Sequence, residues 1–328
     1  MADKTLTPED FLAEWRSASP MIGVKTSGST GTPKAMLVEK ERMRASARLT
    51  CDFLGLQPGQ TALLCMSVDY IAGKMMVVRA EERGLHLISI PPSNHPLAEV
   101  GDTPIDFAAM VPSQVYCSLQ VPDERRRLMA IRHLIIGGGA VSGDLEAALR
   151  DFPGNVWSTY GMTETLSHIA LRRLNGPEAS PWYEPFGGVQ VSQDAAGCLV
   201  IDAPMVCHEQ LITNDIAIFH EDGRRFRIIG RRDNVICSGG IKLHIEELEE
   251  RLRPHMPCPY AITKRPDAKF GEVAILAIEG QADQEELMRI CRQHLPAYGI
   301  PKAIISIPAI PMTETGKIAR AKLLKIKN

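Results

Sequence analysis

The residues with the clearest chemical potential form a run near the N-terminus, Thr26-Ser27-Gly28-Ser29-Thr30-Gly31-Thr32-Pro33-Lys34. Glycines let a backbone turn tightly and bring N–H groups towards an anion, hydroxyls add donors, and the lysine adds charge, so the run suits phosphate. It is not a Walker A loop, because Gly28 and Gly31 are three apart and Pro33 precedes the lysine. A flexible Ser/Gly linker is the competing reading, weakened by the apolar strand expected at 21–24 just before it. A second run, Ser158-Thr159-Tyr160-Gly161-Met162-Thr163-Glu164-Thr165, offers an aromatic face for a base, a hydroxyl for a phosphate and a carboxylate for a divalent cation. The same residue types also suit a helix N-cap.

Two more runs lie further along. Gly230-Arg231-Arg232-Asp233-Asn234 precedes Ser238-Gly239-Gly240-Ile241-Lys242 and an acidic helix start, which suits either a mobile active-site loop or a plain turn. Pro311-Met312-Thr313-Glu314-Thr315-Gly316-Lys317-Ile318-Ala319-Arg320 places Lys317 on a glycine-bearing turn. Because Lys322, Lys325 and Lys327 follow, a solvated basic helix is the alternative there.

The elements that must hold these runs follow from periodicity. Thr7-Pro8-Glu9-Asp10 opens a short N-terminal helix. Helices at 39–54, 73–83 and 142–151 alternate with strands at 62–66, 86–90 and 133–136, a pattern that predicts an α/β layered sheet. From about 185 to 230 short β stretches with turns take over. Helices near 245–253, 283–294 and 317–325 then close an α+β segment. The change of pattern at 230–234 divides the chain into a body at 1–231 and a C-terminal domain at 232–328.

Composition bounds the rest. At 328 residues, with 45% hydrophobic and 23% charged, the chain is long enough for two cores and is neither disordered nor fibrous. Lys+Arg 37 against Asp+Glu 39 gives a net charge of -2, with no basicity that points to nucleic acid or an anionic membrane. No apolar run approaches a membrane span, and no signal peptide is read at the N-terminus. The eight cysteines form no C-x-x-C pair, which fits reduced thiols in a cytoplasmic protein. Self-association is left open.

Together and in this order, the motifs resemble those of the adenylate-forming superfamily of acyl- and aryl-CoA ligases, peptide-synthetase adenylation domains and luciferase. The correspondence extends from residue 26 to 320. TSGSTGTPK resembles the phosphate loop, STYGMTET the adenylate motif, Thr213-Asn214-Asp215 a T-G-D motif with Asn for Gly, GRRDN the hinge, and PMTETGKIAR the segment bearing the catalytic lysine. The resemblance implies an N-terminally shortened form of that fold, with a layered sheet-and-helix body and a small mobile C-terminal lid. It implies that Thr26, Ser27, Gly28, Ser29, Thr30, Gly31, Thr32 and Lys34 hold the β- and γ-phosphates of ATP. Gly138, Gly139 and Ala140 would border adenine, Tyr160 would stack on it, and Gly161 belongs to the same motif. Thr163 would meet the α-phosphate and Glu164 would ligate magnesium. Asp215, with Arg231 beside it, would bind the ribose; Asp233 would be the hinge. Lys317 would bridge the attacking carboxylate and the α-phosphate. Gly239, Gly240 and Lys242 would enter the site for transfer to coenzyme A.

Within the superfamily the compact pattern most resembles o-succinylbenzoate–CoA ligases of menaquinone biosynthesis. Ser67–Lys74, Val111–Gln114 and Leu166–Ala170 carry that likeness. Tyr70, Lys74, Ser167 and His168 are the candidate acid-pocket residues, with Lys74 and His168 the candidates for a distal carboxylate. Tyr70 stands where many relatives have histidine. The expected partners are thus a small carboxylic acid, ATP, magnesium and CoA. The rivals are another acyl-CoA ligase, a loader of carrier-protein thiols, or a non-catalytic nucleotide-binding remnant.

Overall fold

The computed structural model describes residues 6–25, 35–313 and 318–326. The order of elements is α1 (Pro8–Trp15), β1 (Met21–Lys25), β2 (Ala35–Glu39), α2 (Lys40–Leu54), β3 (Thr61–Leu64), α3 (Ile71–Arg83), β4 (His86–Ser89) and β5 (Phe107–Met110). Next come α4 (Pro112–Gln120), α5 (Pro122–Met129), β6 (His133–Ile136), α6 (Gly143–Ala148), β7 (Asn155–Gly161), β8 (His168–Arg173) and β9 (Glu184–Pro185). Strands β10 (Gln190–Gln193), β11 (Cys198–Asp202), β12 (Leu211–Phe219), β13 (Phe226–Arg231), β14 (Val235–Ser238) and β15 (Ile241–His244) follow. The chain ends with α7 (Ile245–Leu252), β16 (Tyr260–Asp267), β17 (Gly271–Glu279), α8 (Gln284–His294), β18 (Ala303–Ile307) and α9 (Arg320–Leu323).

The centre is a seven-stranded sheet ordered β4-β3-β5-β6-β7-β8-β9. Strands β4 to β7 are parallel, and β8 and β9 return antiparallel. A parallel strand covered on both sides must be apolar on both sides, as the central runs 62–64, 107–110 and 134–136 are. Ala62 and Leu64 of β3 face one core with Phe107, Ala109 and Ile135, against α1, α2 and α3. Leu63, Ala108, Met110, Leu134 and Ile136 face the other, against α4, α5 and α6. Strands too short to show periodicity are thus specified by their neighbours on each face. Strand β5 and helices α4 and α5 fall outside the expected elements, whereas the helices at 39–54, 73–83 and 142–151 and the strands at 62–66, 86–90 and 133–136 lie within a few residues of their expected places. Helix α1 starts at a capping box, with Asp10 N donating to Thr7 Oγ1 at 3.1 Å and Thr7 N donating to Asp10 Oδ2 at 3.3 Å.

A four-stranded antiparallel sheet, β10-β11-β12-β13, packs beside the body and shares its larger core through Leu199, Ile201, Ala217 and Phe226. Beyond β13, the turn Arg232–Asn234 leads to a third sheet, β15-β14-β17-β16, with β18 parallel to β17. Its core residues run from Ile236 to Leu323 and include none of the residues that line the body's cores.

Candidate active site

In an open α/β sheet, ligands sit where the parallel strands end at their carboxyl termini. Three loops gather there. The loop after β3 leads through Tyr70 into α3, the loop after β6 carries Gly138, Gly139 and Ala140, and β7 ends in Tyr160 and Gly161. Strands β6 and β7 are neighbours, with Ile136 opposite Ser158. A Cβ on Gly137 would lie 2.5 Å from Thr159 Oγ1, so the glycine loop packs directly on β7. Residues 26–34, the expected phosphate loop, lie outside the described residues, but the strands on either side pair, Lys25 with Ala35. Lys25 also bridges to Tyr70. The described residues on either side of the run, Lys25 and Ala35, thus lie beside the loop that leads into α3.

The second run is not a helix cap. Strand β7 continues to Gly161 and returns as β8 from His168, so residues 162–167 form a tight turn. Local propensity favoured the cap, but sheet pairing overrides it. Gly161 is required by that pairing: a Cβ there would sit 2.3 Å from Ser167 O and 2.4 Å from His168 Cα. Thr165, fully buried, ties the turn together, accepting from Met162 N at 3.0 Å and donating to Ser167 O at 2.7 Å. Leu166 adopts φ 63°, a left-handed conformation unfavourable for a branched side chain and held here by the turn. The result projects Glu164 into solvent and buries Thr163 beneath it.

Tyr160 reaches from this turn to the second sheet. Its hydroxyl donates to Asp215 Oδ2 at 2.7 Å, and Arg231 Nη1 donates to Asp215 Oδ1 at 2.8 Å. Asp215 N donates to Thr213 Oγ1 at 3.0 Å, so Thr213 orients the strand beneath the carboxylate. The Tyr160 ring lies 5.2 Å from Phe226 and 5.8 Å from Tyr183. Burial, and then the negative charge of Asp215, push its phenol well above the usual range, so it stays a hydrogen-bond donor. Arg231 also pairs with Asp233 at 3.5 Å, linking this cluster to the Arg232–Asn234 turn.

Lys317 lies outside the described residues. The segments around 314–317 are anchored by an antiparallel bridge between Met312 and Ile318 and by the bidentate pair of Arg320 with Glu249, at 3.0 and 2.6 Å. Gly239, Gly240 and Lys242 sit on the β14–β15 hairpin of the third sheet. Gly239 N donates to Phe270 O at 2.8 Å and packs against Tyr298, so its neighbours are aromatic side chains of that sheet.

The acid-pocket candidates divide into two kinds. Lys74 is buried, its ammonium donating to Gly23 O at 2.7 Å and lying 5.3 Å over the Phe11 ring, and burial lowers its pKa. Ser167 and His168 meet a residue that the motifs did not single out: Arg79 of α3, 2% exposed. Its guanidinium donates to Ser167 Oγ and, at 3.9 Å, to Met76 Sδ; its Nε has no partner, and no carboxylate among the described residues pairs with it. Burial pulls its pKa down to about 10, which leaves it charged at neutral pH. A buried cation with spare donors and no counter-ion is rare enough to call for an anion.

A second missed group is on the third sheet. Phe270 has the ammoniums of Lys269 and Lys302 each 5.2 Å from its ring centre, and Tyr298, 44% exposed, meets its edge at 6.4 Å. An aromatic platform with two lysines beside a glycine turn suits a purine with phosphates.

Residues 14–197 match the family described as AMP-binding enzyme. The chain belongs to that family. It is 34% identical to an acyl-CoA synthetase (AMP-forming)/AMP-acid ligase II-like protein from Dyadobacter fermentans, with a TM-score of 0.67 over 99% of this chain and 96% of that one. The fold also matches an o-succinylbenzoate CoA synthetase from Bacillus subtilis solved with its acyl-adenylate intermediate, at a TM-score of 0.79 and 21% identity over 93% of this chain and 69% of that one. Among sequence relatives, a 2-succinylbenzoate–CoA ligase from Listeria monocytogenes is 28% identical over 98% of this chain and 73% of its own length. One from Bacillus mycoides is 25% identical over 95% and 71%. The architecture is the adenylate-forming fold expected from the motifs.

Proposed function

We propose that this AMP-binding enzyme is an ATP-dependent, AMP-forming acid–CoA ligase whose acid is o-succinylbenzoate. The observation that carries the reading is the convergence of Gly138–Ala140, Tyr160, the Thr163–Glu164 turn and the Asp215–Arg231 pair at the carboxyl edge of the parallel sheet. A carboxylate oxygen of the acid attacks the α-phosphorus of ATP, and the bond to the β-phosphate breaks with loss of pyrophosphate. The thiolate of CoA then attacks the acyl carbonyl, expelling AMP. Asp215 and Arg231 position the ribose, Tyr160 covers the adenine, and Thr163 donates to the α-phosphate. Lys317, from the C-terminal domain, offsets the charge that builds as two anions meet.

Magnesium fits the residues present. Magnesium bound with a nucleotide takes one or two protein carboxylates and completes its shell from phosphates and water, and Glu164 is a single exposed carboxylate at the tip of the turn. The metal would neutralise phosphate charge there. The body at 1–231 and the lid at 232–328 act as two units with Asp233 at the hinge, a division supported by their separate cores. The nucleotide end of CoA rests on Phe270 and Tyr298.

Arg79 supports the choice of acid. The substrate carries a second carboxylate remote from the reacting one, and a buried, unpaired guanidinium beside Ser167 can accept it in a bidentate manner. The relatives named 2-succinylbenzoate–CoA ligase agree with that choice. We place the enzyme in the cytoplasm, as its eight free cysteines suggest. ATP–pyrophosphate exchange is the deciding experiment: exchange specific to o-succinylbenzoate, followed by CoA-dependent AMP release, is expected. Exchange with another acid alone would refute the substrate, and exchange with none would leave a nucleotide-binding module.

A further inference from the structure

Behind Ser167 the side chains form a hydrogen-bonded chain through a fully enclosed part of the body. His168 lies on β8 between Ser167 and α2, with its Nδ1 3.3 Å from Ser167 Oγ and its Nε2 3.0 Å from Thr50 Oγ1. Thr50 Oγ1 in turn lies 3.3 Å from Ser46 O, one helical turn back. Phe186 closes over the imidazole edge-on at 5.5 Å.

The direction of every bond in this chain follows from its two ends. Ser46 O can only accept, so Thr50 donates to it and presents lone pairs to His168. Nε2 therefore carries the ring proton and donates to Thr50. Burial, and then the charge of the Arg79 guanidinium, the one charged group among the described residues that faces the ring, keep the imidazole well below its ordinary pKa, and hence neutral. Nδ1 is then a bare acceptor for the Ser167 hydroxyl. With its proton directed at His168, Ser167 Oγ turns its lone pairs to Arg79, whose Nη2 donates to it. The chain runs one way, from Arg79 through Ser167, His168 and Thr50 to the α2 backbone.

We infer that His168 is a positioning residue for the acid: anchored by Thr50, it sets the rotamer of Ser167 and through it the orientation of the Arg79 guanidinium. A serine hydroxyl left to itself has three staggered positions, two of which turn its proton towards the guanidinium or away from both partners. An imidazole that accepts at one nitrogen and donates at the other removes that choice. The inference deepens the reading of Arg79 as the site of the distal carboxylate and rests on it.

Three variants test this, each assayed for the KM of o-succinylbenzoate, the KM of ATP and kcat. His168→Gln keeps a donor for Thr50 but has nothing at the Nδ1 position. His168→Asn places Oδ1 there and keeps the acceptor for Ser167. His168→Leu removes both. The Gln and Leu variants should raise the acid KM by about 10-fold, the effect of one misdirected charge-assisted hydrogen bond, with the ATP KM within ~2-fold of wild type. The Asn variant should return the acid KM to within ~3-fold of wild type. The inference is overturned by a wild-type acid KM in His168→Gln. It is equally overturned if the acid and ATP KM values rise together in all three variants, the mark of a merely structural role. Failure of the underlying reading looks different: Arg79→Met would then leave the acid KM unchanged, whatever His168 does.

Discussion

Replacing Arg79 with methionine should make the protein more stable and less able to bind its acid. The guanidinium is completely buried, and its pKa stands at about 10 against an ordinary 12.5. At 1.36 kcal/mol per pKa unit, holding the charge inside the fold costs roughly 3 kcal/mol. Because the folded pKa is the lower of the two, that cost is fully present below about pH 10 and disappears only as the pH rises past the unfolded value. Methionine keeps most of the apolar stem and removes the charge, at the loss of the bond to Ser167, about 1 kcal/mol. The net gain is ~1–2 kcal/mol, or a rise in Tm of roughly 2–5 °C for a protein of this size. The same variant should raise the KM of o-succinylbenzoate by about 10- to 100-fold, since a charge-assisted contact to a carboxylate is worth ~1.5–3 kcal/mol. Calorimetry at pH 7 and steady-state kinetics measure the two effects. A fall in Tm would show that the cation is part of the folding energetics, and an unchanged acid KM would show that it binds no substrate. Either result refutes the reasoning.

Lys317→Ala should abolish pyrophosphate exchange yet spare thioester formation from preformed adenylate; equal loss of both half-reactions would contradict alternation of the two domains. Glu164→Gln should shift the magnesium titration of turnover to higher concentration by roughly 10-fold, with an unshifted curve denying it a metal role. Phe270→Ala and Tyr298→Ala should each raise the KM of CoA by about 5- to 50-fold while leaving pyrophosphate exchange intact, as expected for a stacked base. A CoA KM within error of wild type in both would remove the aromatic platform from the thioester step. Gly161→Ala should lower stability by ~2–3 kcal/mol, because its Cβ would meet Ser167 O at 2.3 Å and force β7 and β8 apart. Denaturant melts with unchanged midpoint would show that the hairpin yields more easily than its geometry suggests.

Much of this was visible in the chain. The capped start at Thr7, the helices with a clear apolar stripe and the order of the motifs all rest on neighbours a few residues apart, where spacing alone is informative. Strand β5 was not visible, because in Phe107-Ala108-Ala109-Met110 only the phenylalanine favours a strand and four residues buried on both faces have no period to read. The run at 158–165 was ambiguous for a related reason. Its hydroxyls cap a helix as readily as a turn, and only the antiparallel return of β8 through Gly161 selects the turn.

The sequence by itself determined the chemistry on offer: a glycine- and hydroxyl-rich run for phosphate, a Tyr-Gly-x-Thr-Glu run, an aspartate with an arginine sixteen positions on, and a lysine near the end. Those are properties of residue type and order, which survive without a fold. Tertiary structure decided which cation is already satisfied and which is not. Lys74 had the right charge in the right segment, but its ammonium is committed to Gly23 O, whereas Arg79, five residues along the same helix, faces Ser167 and His168 with no counter-ion among the described residues. A side chain's charge is written in its codon, but whether that charge is already satisfied depends on groups 51 and 88 residues away, brought within hydrogen-bond reach by the packing of α3 against β1 and β8.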